Sequence, residues 1–197
     1  MKYIFKSINY AEEILRDMEE YKEFINILDS YSEELLIAYY NRDNFTSLSN
    51  SINKYFEEKL NDLNWSKDSY IFKNSEYSSK RWTQNYIKNG ITINIAFDHN
   101  ISICWNLLKG EIHSKPSVLN KNGDSNLHIL LTATSNFLRE GGFDNATGSF
   151  EEYKKYLLPL SSFMNSPMLL IGLDNLDTFH IQKIRGNGKK IGKIINK

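Results

Sequence analysis

The chain has 197 residues, 41% of them hydrophobic, and its 24 basic residues balance its 24 acidic ones. This length suits one domain, and the composition suffices for a buried core. No apolar run approaches the ~20 residues that span a bilayer. The N-terminus lacks the apolar segment of a signal peptide, and the single cysteine, Cys104, excludes an internal disulfide. We therefore expect a cytoplasmic protein with no membrane partner.

Charge is distributed unevenly along the chain. Residues 1–63 contain 13 acidic and 7 basic residues, whereas the last fifteen residues contain six basic residues and no acid. We expect a folded domain over residues 1–182 and a flexible, basic C-terminal tail over residues 183–197, where three glycines loosen the backbone. Such a tail can bind the phosphate groups of DNA, or it can simply be solvated; the sequence leaves both open.

The N-terminal third is predicted to be helical. Apolar residues recur at helical spacing from Glu12 to about Asp29, which predicts one amphipathic helix. The apolar run Leu35–Tyr40 is ambiguous between a strand and a helix. A further helix is predicted from about Asn50 to Asn61, with a polar residue at its N-cap.

Strands dominate the middle of the chain. A first strand is predicted at Tyr70–Lys73. The runs Ile91–Phe97 and Ile101–Leu107 both alternate apolar with polar or small side chains, as half-buried strands do. Residues 98–100 between them are typical of a turn. We therefore predict that the two runs form a β-hairpin.

The remaining elements complete the fold class. Leu127–Thr134 is predicted to be a central strand, and Ser149 is predicted to cap a helix that ends near Phe163. Met168–Leu173 is predicted to be a buried strand and Phe179–Ile184 an edge strand. Together these elements predict an α/β fold in which helices flank a mixed sheet.

Polar residues follow the predicted hairpin in two rows. Because side chains alternate along a strand, each row faces one way. The first row consists of Thr92, Asn94, Ala96 and Asp98, and the second of Ser102, Cys104 and Asn106. Two adjoining polar rows in an apolar sheet indicate a site for water, a ligand or an ion. A sheet surface that faces solvent gives the same pattern.

Four segments, in the same order and register, carry a resemblance to a known family. They are Ala11–Leu15, Asn53–Leu60 with the following Trp65-Ser66-Lys67, Ser149–Leu160, and Pro167–Leu173. Through them the chain resembles the BglII/BstYI family of type II restriction endonucleases, within the PD-(D/E)xK superfamily. The resemblance covers most of the chain and implies a restriction-endonuclease-like fold, a homodimer that clasps double-stranded DNA, and a role in restriction-modification or antiviral defence.

The resemblance also implies a Mg²⁺ site on a hairpin, with an Asp on the first strand and Glu-x-Gln on the second. Here the Asp position falls on Asn94, or on Ala96 if the register shifts by two, and the other two positions fall on Cys104 and Asn106. Mg²⁺ requires carboxylate oxygens, and an amide and a thiol replace them. The resemblance therefore predicts a DNA-binding protein that has lost cleavage and needs no cofactor.

Two alternatives stay open. Asp98 and Glu111 could substitute for the missing carboxylates, because Glu111-Ile112-His113 imitates Glu-x-Lys, and the protein would then be an active Mg²⁺-dependent endonuclease. Alternatively, the fold could serve as a protein-interaction module, which the neutral charge and the acidic N-terminal third favour.

DNA contacts are expected from the loop between Thr134 and Ser149 and from nearby lysines. Amide and guanidinium groups of this loop can bind the edges of purine bases, hydroxyl groups add polar contacts, and lysines bind phosphates. The expected base contacts are Asn136, Arg139 and Asn145, the hydroxyl contacts are Thr147 and Ser149, and the phosphate contacts are Lys109 and Lys115.

Overall fold

The structure, a computed structural model, describes residues 1–43, 46–72, 74–115, 126–186 and 189–197. The strands of its main sheet are β1 (Tyr3–Ile8), β2 (Ser66–Tyr70), β3 (Thr83–Lys88), β4 (Ile91–Ile95), β5 (Leu127–Ala133) and β6 (Met168–Leu173). Their order across the sheet is β1-β6-β5-β4-β3-β2. The pairs β4/β5 and β5/β6 are parallel, and the outer pairs are antiparallel. This mixed sheet with flanking helices confirms the predicted fold class, with β5 in a central position.

Helices cover both faces of the sheet. The helices are α1 (Ala11–Leu15), α2 (Glu19–Ser30), α3 (Glu33–Asp43), α4 (Ser49–Asp62), α5 (Ile103–His113), α6 (Ser135–Glu140) and α7 (Phe150–Leu160). Alternate residues of β5 point to opposite faces: Ile129 and Leu131 belong to the core beneath α1–α4, and Leu130 belongs to the core beneath α5 and α7. Because both faces are buried, β6 is apolar throughout and β5 is mainly apolar.

The predicted hairpin between Ile91–Phe97 and Ile101–Leu107 is wrong. The first run forms β4, but the second lies in a single-turn helix at residues 100–102 followed by α5. Since β4 pairs in parallel with β5, the chain must cross over between them, which takes a dozen or more residues and usually a helix. Ile103 and Leu107 are buried four residues apart on α5, as a helix requires.

A hairpin does occur one strand earlier, between β3 and β4. Its two-residue loop is Asn89-Gly90, and both residues have positive φ, at 43° and 82°. An Asn-Gly pair with two positive φ values is the preferred turn of a tight hairpin. The strands pair from Lys88 opposite Ile91 to Tyr86 opposite Ile93.

Other boundaries differ from the sequence predictions. The predicted helix from Glu12 to Asp29 is divided into α1 and α2, and the ambiguous run Leu35–Tyr40 is helical, within α3. The strand expected at Tyr70–Lys73 is misplaced: β2 ends at Tyr70, Ile71 and Phe72 are not in a strand, and Lys73 lies outside the described residues. The helix capped by Ser149 ends at Leu160, followed by a short 3-10 helix at residues 161–163.

The C-terminal residues form a second, two-stranded sheet where a flexible tail was expected. Strands β7 (Phe179–Gly186) and β8 (Lys189–Asn196) pair antiparallel over their whole length. Phe179 and Ile181 are buried in the main core, and a Cβ on Gly142 would lie 2.7 Å from the Ile181 side chain. This close packing fixes the hairpin against the rest of the fold.

None of the helices in the described ranges has the length and apolarity that a membrane crossing requires.

Candidate functional site

A polar pocket lies where β4 ends and α5 begins, on the α5 side of the sheet. We call it the inner pocket; its volume is about 540 Å³. Its lining residues are Lys80, Arg81, Asn85, Asn94, Ile95, Ala96, Asp98, Ile101, Ser102, Trp105, Asn106 and Lys109. It contains four of the predicted metal-site positions, Asn94 with its alternative Ala96, Asp98 and Asn106, and one predicted phosphate ligand, Lys109. The carboxyl ends of parallel strands commonly carry the ligand sites of α/β proteins.

A chain of side-chain amides forms the floor of this pocket. Asn94 is buried, and its Nδ2 donates to Gln84 Oε1 while its Oδ1 accepts the backbone N–H of Asn85 at 3.1 Å. Gln84 Nε2 donates to the backbone carbonyl oxygen of Lys109 at 3.2 Å, and Asn85 Oδ1 accepts the N–H of Ile95 at 2.8 Å. The amide oxygens of all three side chains therefore accept protein hydrogen bonds, which leaves them poorly placed to coordinate an ion.

Asp98 and Asn106 do meet, as the predicted polar rows required, although a helix and not a strand brings Asn106 there. Asn106 Nδ2 donates to Asp98 Oδ2 at 3.2 Å and to the Tyr153 hydroxyl at 2.8 Å. Burial raises the pKa of Tyr153, so its hydroxyl is protonated at neutral pH. Asp98 is thus held at the mouth of the pocket by an amide that is itself anchored to α7.

Lys109 is the most buried cation of the inner pocket. Lys109 as a whole residue is 8% exposed to solvent. Burial lowers the pKa of Lys109, and the nearby charges of Asp98 and Asp68 oppose that shift. Within the residues that the structure describes, its ammonium group has no hydrogen-bond or ion-pair partner. A cation in this position can form a charge-assisted hydrogen bond with an anion in the pocket.

Cys104 does not take part in this pocket. It lies on α5, half-buried, between pocket residues, but is not among the lining side chains. The prediction that it shares a strand face with Asn106 is wrong, because residues two apart on a helix point in different directions. The hairpin that does form here, β3/β4, has the sequences TQNYIK and ITINI and contains no acidic residue.

Glu111 also lies away from the pocket. Its carboxylate Oε2 accepts the backbone N–H groups of Asn165 and Ser166 at 2.9 and 2.8 Å, and its Oε1 pairs with Lys115 at 2.9 Å. Burial alone would raise the pKa of Glu111, but these partners lower it to about 2. Lys115 is accordingly an ion-pair partner of Glu111 at the end of α5. It does not line the inner pocket, unlike Lys109, the other predicted phosphate ligand.

The donor set of the inner pocket does not fit a magnesium ion. Mg²⁺ prefers carboxylate oxygens, and of the described residues that line the pocket, Asp98 alone carries one. The described part of the chain contains no group of three or more His, Cys, Asp or Glu placed to hold a metal ion. Three cations and several amides face this pocket instead.

A second cleft lies beside the inner pocket, along the loop between α6 and α7. We call it the outer cleft; its volume is about 430 Å³. It contains four predicted DNA contacts, namely Arg139, Asn145, Thr147 and Ser149, together with Lys155, Glu151 and Glu152. Asn136 lies near it on α6 and binds Arg139 and Asn175 through its side-chain amide.

Ser149 has a structural role in the outer cleft. Its hydroxyl accepts the backbone N–H of Glu152 at 3.3 Å, and the Glu152 carboxylate accepts the N–H of Ser149 at 2.9 Å. This reciprocal pair is a capping box that begins α7. Thr147 is largely buried, which leaves Arg139 and Asn145 as the more exposed members of the predicted set.

The wall between the two clefts is a hydrogen-bonded bridge. The backbone N–H of Gly148 donates to the carbonyl oxygen of Asp98 at 3.0 Å, and the N–H of Asn100 donates to that of Ala146 at 2.7 Å. His99 and Thr147 form an isolated antiparallel β-bridge between these bonds. The segment that carries Asp98 and the loop of the outer cleft therefore form one unit.

Several pocket residues were missed by the sequence analysis. Gln84 and Asn85 lie on β3, which the Asn-Gly turn at residues 89–90 could have located. Lys80 and Arg81 lie in a short 3-10 helix, and only the fold brings them to α5, where Trp105 Nε1 donates to the Arg81 carbonyl oxygen at 3.2 Å.

Comparisons with known proteins agree on one family. The crystal structure of restriction endonuclease BglII complexed with a DNA 16-mer is similar with a TM-score of 0.68 and 17% identity, and that of free BglII with 0.59 and 18%. Each match covers 100% of this chain and 100% of the BglII chain. At identities of 17% and 18%, these matches show that the chain shares the BglII fold. No curated protein matches. The model of the restriction endonuclease BglII/BglIII family matches residues 3–173, so the chain belongs to that family.

Proposed function

We propose that this protein binds double-stranded DNA and does not cleave it. The inner pocket carries this proposal. It contains Asn94, Ala96 and Asn106, positions at which the family resemblance implies magnesium ligands, and it is lined by amides and cations in place of the carboxylates that such a site needs. DNA binding is favoured by membership of a restriction endonuclease family and by the similarity to a BglII structure that is complexed with DNA.

The outer cleft supplies contacts suited to a duplex. Arg139 and Asn145 are exposed side chains that can bind base edges in the major groove. Lys155 lies on the rim of the same cleft and suits a phosphate. Glu151 holds the backbone N–H and the hydroxyl of Ser135 at 2.9 and 2.8 Å, which occupies one of the acidic groups nearby.

The C-terminal hairpin extends this basic surface. Lys183 Nζ donates to the carbonyl oxygen of Phe143 at 3.0 Å, so β7 runs beside the loop of the outer cleft. Arg185 lies two residues further along the strand, on the same face, and is exposed. Lys183 and Arg185 therefore extend the line of cations that a DNA backbone can follow.

A homodimer and a role in restriction-modification or antiviral defence belong to the same proposal, because the family resemblance implies them. The cytoplasmic location expected from the sequence belongs to it as well. The rival in which Asp98 and Glu111 form a working magnesium site is less favourable. Glu111 is engaged by residues 165–166 and by Lys115, and it would have to break these contacts to reach the inner pocket.

The test combines binding with cleavage. Fluorescence anisotropy of labelled duplex DNA should give a dissociation constant that rises steeply with salt and that Mg²⁺ does not lower relative to EDTA. Arg139→Ala should weaken binding, whereas Lys22→Ala on α2, whose ammonium pairs with Glu19 at 2.8 Å, should not. Plasmid DNA should stay intact in Mg²⁺ and in Mn²⁺.

Two results would contradict the proposal. Cleavage that Asp98→Ala abolishes would establish the active endonuclease. A complete lack of DNA binding at low salt would favour the protein-interaction module, for which the acidic N-terminal third offers a surface.

A further inference from the structure

We infer that the inner pocket is an anion site that holds a DNA phosphate directly through Lys109, in a pocket that also contains Asn94 and Asn106, two positions where the family resemblance implies metal ligands. This inference deepens the proposed DNA binding and rests on it for the identity of the phosphate. Its first basis is charge: among the residues that line the pocket, Lys80, Arg81 and Lys109 are cations and Asp98 is an anion.

Hydrogen-bonding capacity points the same way. The oxygens of Asn85 and Asn94, which line the pocket, accept bonds from within the protein. Asn94 Nδ2 already donates to Gln84, so the side-chain donor left without a partner is that of Asn85. Asn85 Nδ2 has no described partner and belongs to a pocket-lining residue. Phosphate oxygens accept hydrogen bonds, and charge-assisted bonds to phosphate are stronger than neutral ones.

Lys109 has the position that this role requires. It is buried at the base of the pocket without a hydrogen-bond or ion-pair partner among the described residues. Its Nζ is not among the described polar atoms that are both enclosed and unpartnered, so it reaches solvent in the pocket, where a bound phosphate would give it a charge-assisted hydrogen bond. Gln84 Nε2 holds the backbone of Lys109 at 3.2 Å, which fixes the point from which the side chain extends.

The exposed cations are also held over the pocket. Trp105 Nε1 bonds to the carbonyl oxygen of Arg81, and the rings of Trp82 and Trp105 meet edge to face with centroids 5.0 Å apart. These contacts fix the short helix at residues 80–82 against α5. Lys80 and Arg81 therefore form the outer part of a site whose inner part is Lys109.

The direct test uses inorganic phosphate and the full-length protein. In ¹H–¹⁵N spectra, phosphate should shift the Trp105 indole and the Asn85 and Asn106 side-chain amides saturably, whereas sodium chloride at equal ionic strength should not. Lys109→Met keeps the alkyl stem, removes the charge and should weaken phosphate binding roughly tenfold. Lys22→Met is the matched control and should leave binding unchanged.

Asp98 distinguishes an anion site from a cation site by the sign of the effect. In an anion site its carboxylate repels phosphate, so Asp98→Asn should strengthen phosphate binding. In a magnesium site the same variant should abolish magnesium binding. A titration with magnesium chloride that shifts these signals in the unmodified protein, and fails to do so in Asp98→Asn, would overturn the inference.

The outcomes for the site and for the proposed function can be separated. Saturable phosphate binding without DNA binding would keep the anion site and reject the DNA partner. Salt-dependent DNA binding without phosphate-induced shifts in the inner pocket would keep the proposed DNA binding and reject the anion site. If Lys109→Met fails to fold, Arg81→Met provides the test, because the Arg81 side chain is exposed and its described contact is made through the backbone; unchanged phosphate binding in that variant would reject the site.

Discussion

Gly110 on α5 lies directly against the imidazole ring of His128 on β5. A Cβ built on Gly110 would lie 2.5 Å from His128 Cγ and 2.8 Å from its Nδ1. His128 is fully buried, and its Nδ1 shares a 2.7 Å hydrogen bond with Thr92 Oγ1 on β4. The absence of a side chain at residue 110 is therefore what lets α5 pack this closely on the central strands.

Gly110→Ala should destabilise the protein. Alanine within a helix is normally more favourable than glycine by about 0.5–1 kcal/mol, but here the added methyl group overlaps a buried ring, and overpacking commonly costs about 1–3 kcal/mol. Urea denaturation should show a lower midpoint for this variant. In a His128→Ala background the same change should be harmless or favourable; equal destabilisation in both backgrounds would show that the ring is not the cause.

Stability should fall as pH drops below about 6.5. Burial, aided by the neighbouring His113 and opposed by Glu111, lowers the pKa of His128 from 6.5 to about 3. The folded protein keeps this ring neutral while the unfolded chain protonates it, so acid favours unfolding by about 1.4 kcal/mol per pH unit well below pH 6.5. Free energies of unfolding between about pH 6.5 and 5 should show this slope.

His128→Gln is the matched variant for the pH experiment. Glutamine can keep a hydrogen bond to Thr92 but does not titrate, so its unfolding free energy should depend less on pH over that interval. Glu111 changes the pH dependence of stability mainly below this pH interval, because the pKa of Glu111 is about 2 in the folded protein and 4.5 in the unfolded chain. An unchanged slope in His128→Gln would assign the effect to another group.

Asn94→Asp should destabilise the fold without creating a metal site. The Nδ2 donor to Gln84 becomes an acceptor oxygen, and the new charge is buried, since Asn94 is 7% exposed. An unsatisfied buried group costs about 1–3 kcal/mol, and more when it is charged. Thermal unfolding should give a lower Tm in EDTA and no recovery in Mg²⁺. Recovery in Mg²⁺ would mean that one substitution suffices to rebuild the magnesium site.

Ser149→Ala should lower stability and leave DNA affinity unchanged. The hydroxyl caps α7, and loss of such a cap costs about 0.5–2 kcal/mol. Ser149→Asp should retain the cap and the stability. Anisotropy measured below the Tm of each variant should give the same dissociation constant for Ser149→Ala as for the unmodified protein. A selective loss of affinity in a stable Ser149→Ala variant would instead make Ser149 a DNA contact.

The sequence predicted those parts of the fold that local pattern determines. The strand β6 is a continuous apolar run, β5 is mainly apolar, and Ser149 followed by Glu152 marks the start of α7, so these elements were located correctly. Residues 101–107 were not, because their alternation is compatible with a strand, and the deciding fact is the parallel pairing of β4 with β5. That pairing joins residues far apart in the chain and leaves no local mark.

The candidate site was predicted in part for the same reason. Asn94, Asp98 and Asn106 do share a pocket, although Asn106 reaches it from a helix. Lys80 and Arg81 lie thirteen or more residues before Asn94 in the sequence, and only folding brings their short helix against Trp105. Local pattern therefore indicated the missing carboxylates and Lys109, but it did not indicate Lys80 and Arg81, the other two cations that line the same space.

The bonds from Gly148 to Asp98 and from Asn100 to Ala146 have a consequence for the shape of the DNA that the protein can accept. These two hydrogen bonds fix the distance between the inner pocket and the outer cleft. A duplex that places a base edge in one cleft and a phosphate in the other must match that spacing. Groove width, which varies with base composition, would then be selected together with the bases themselves.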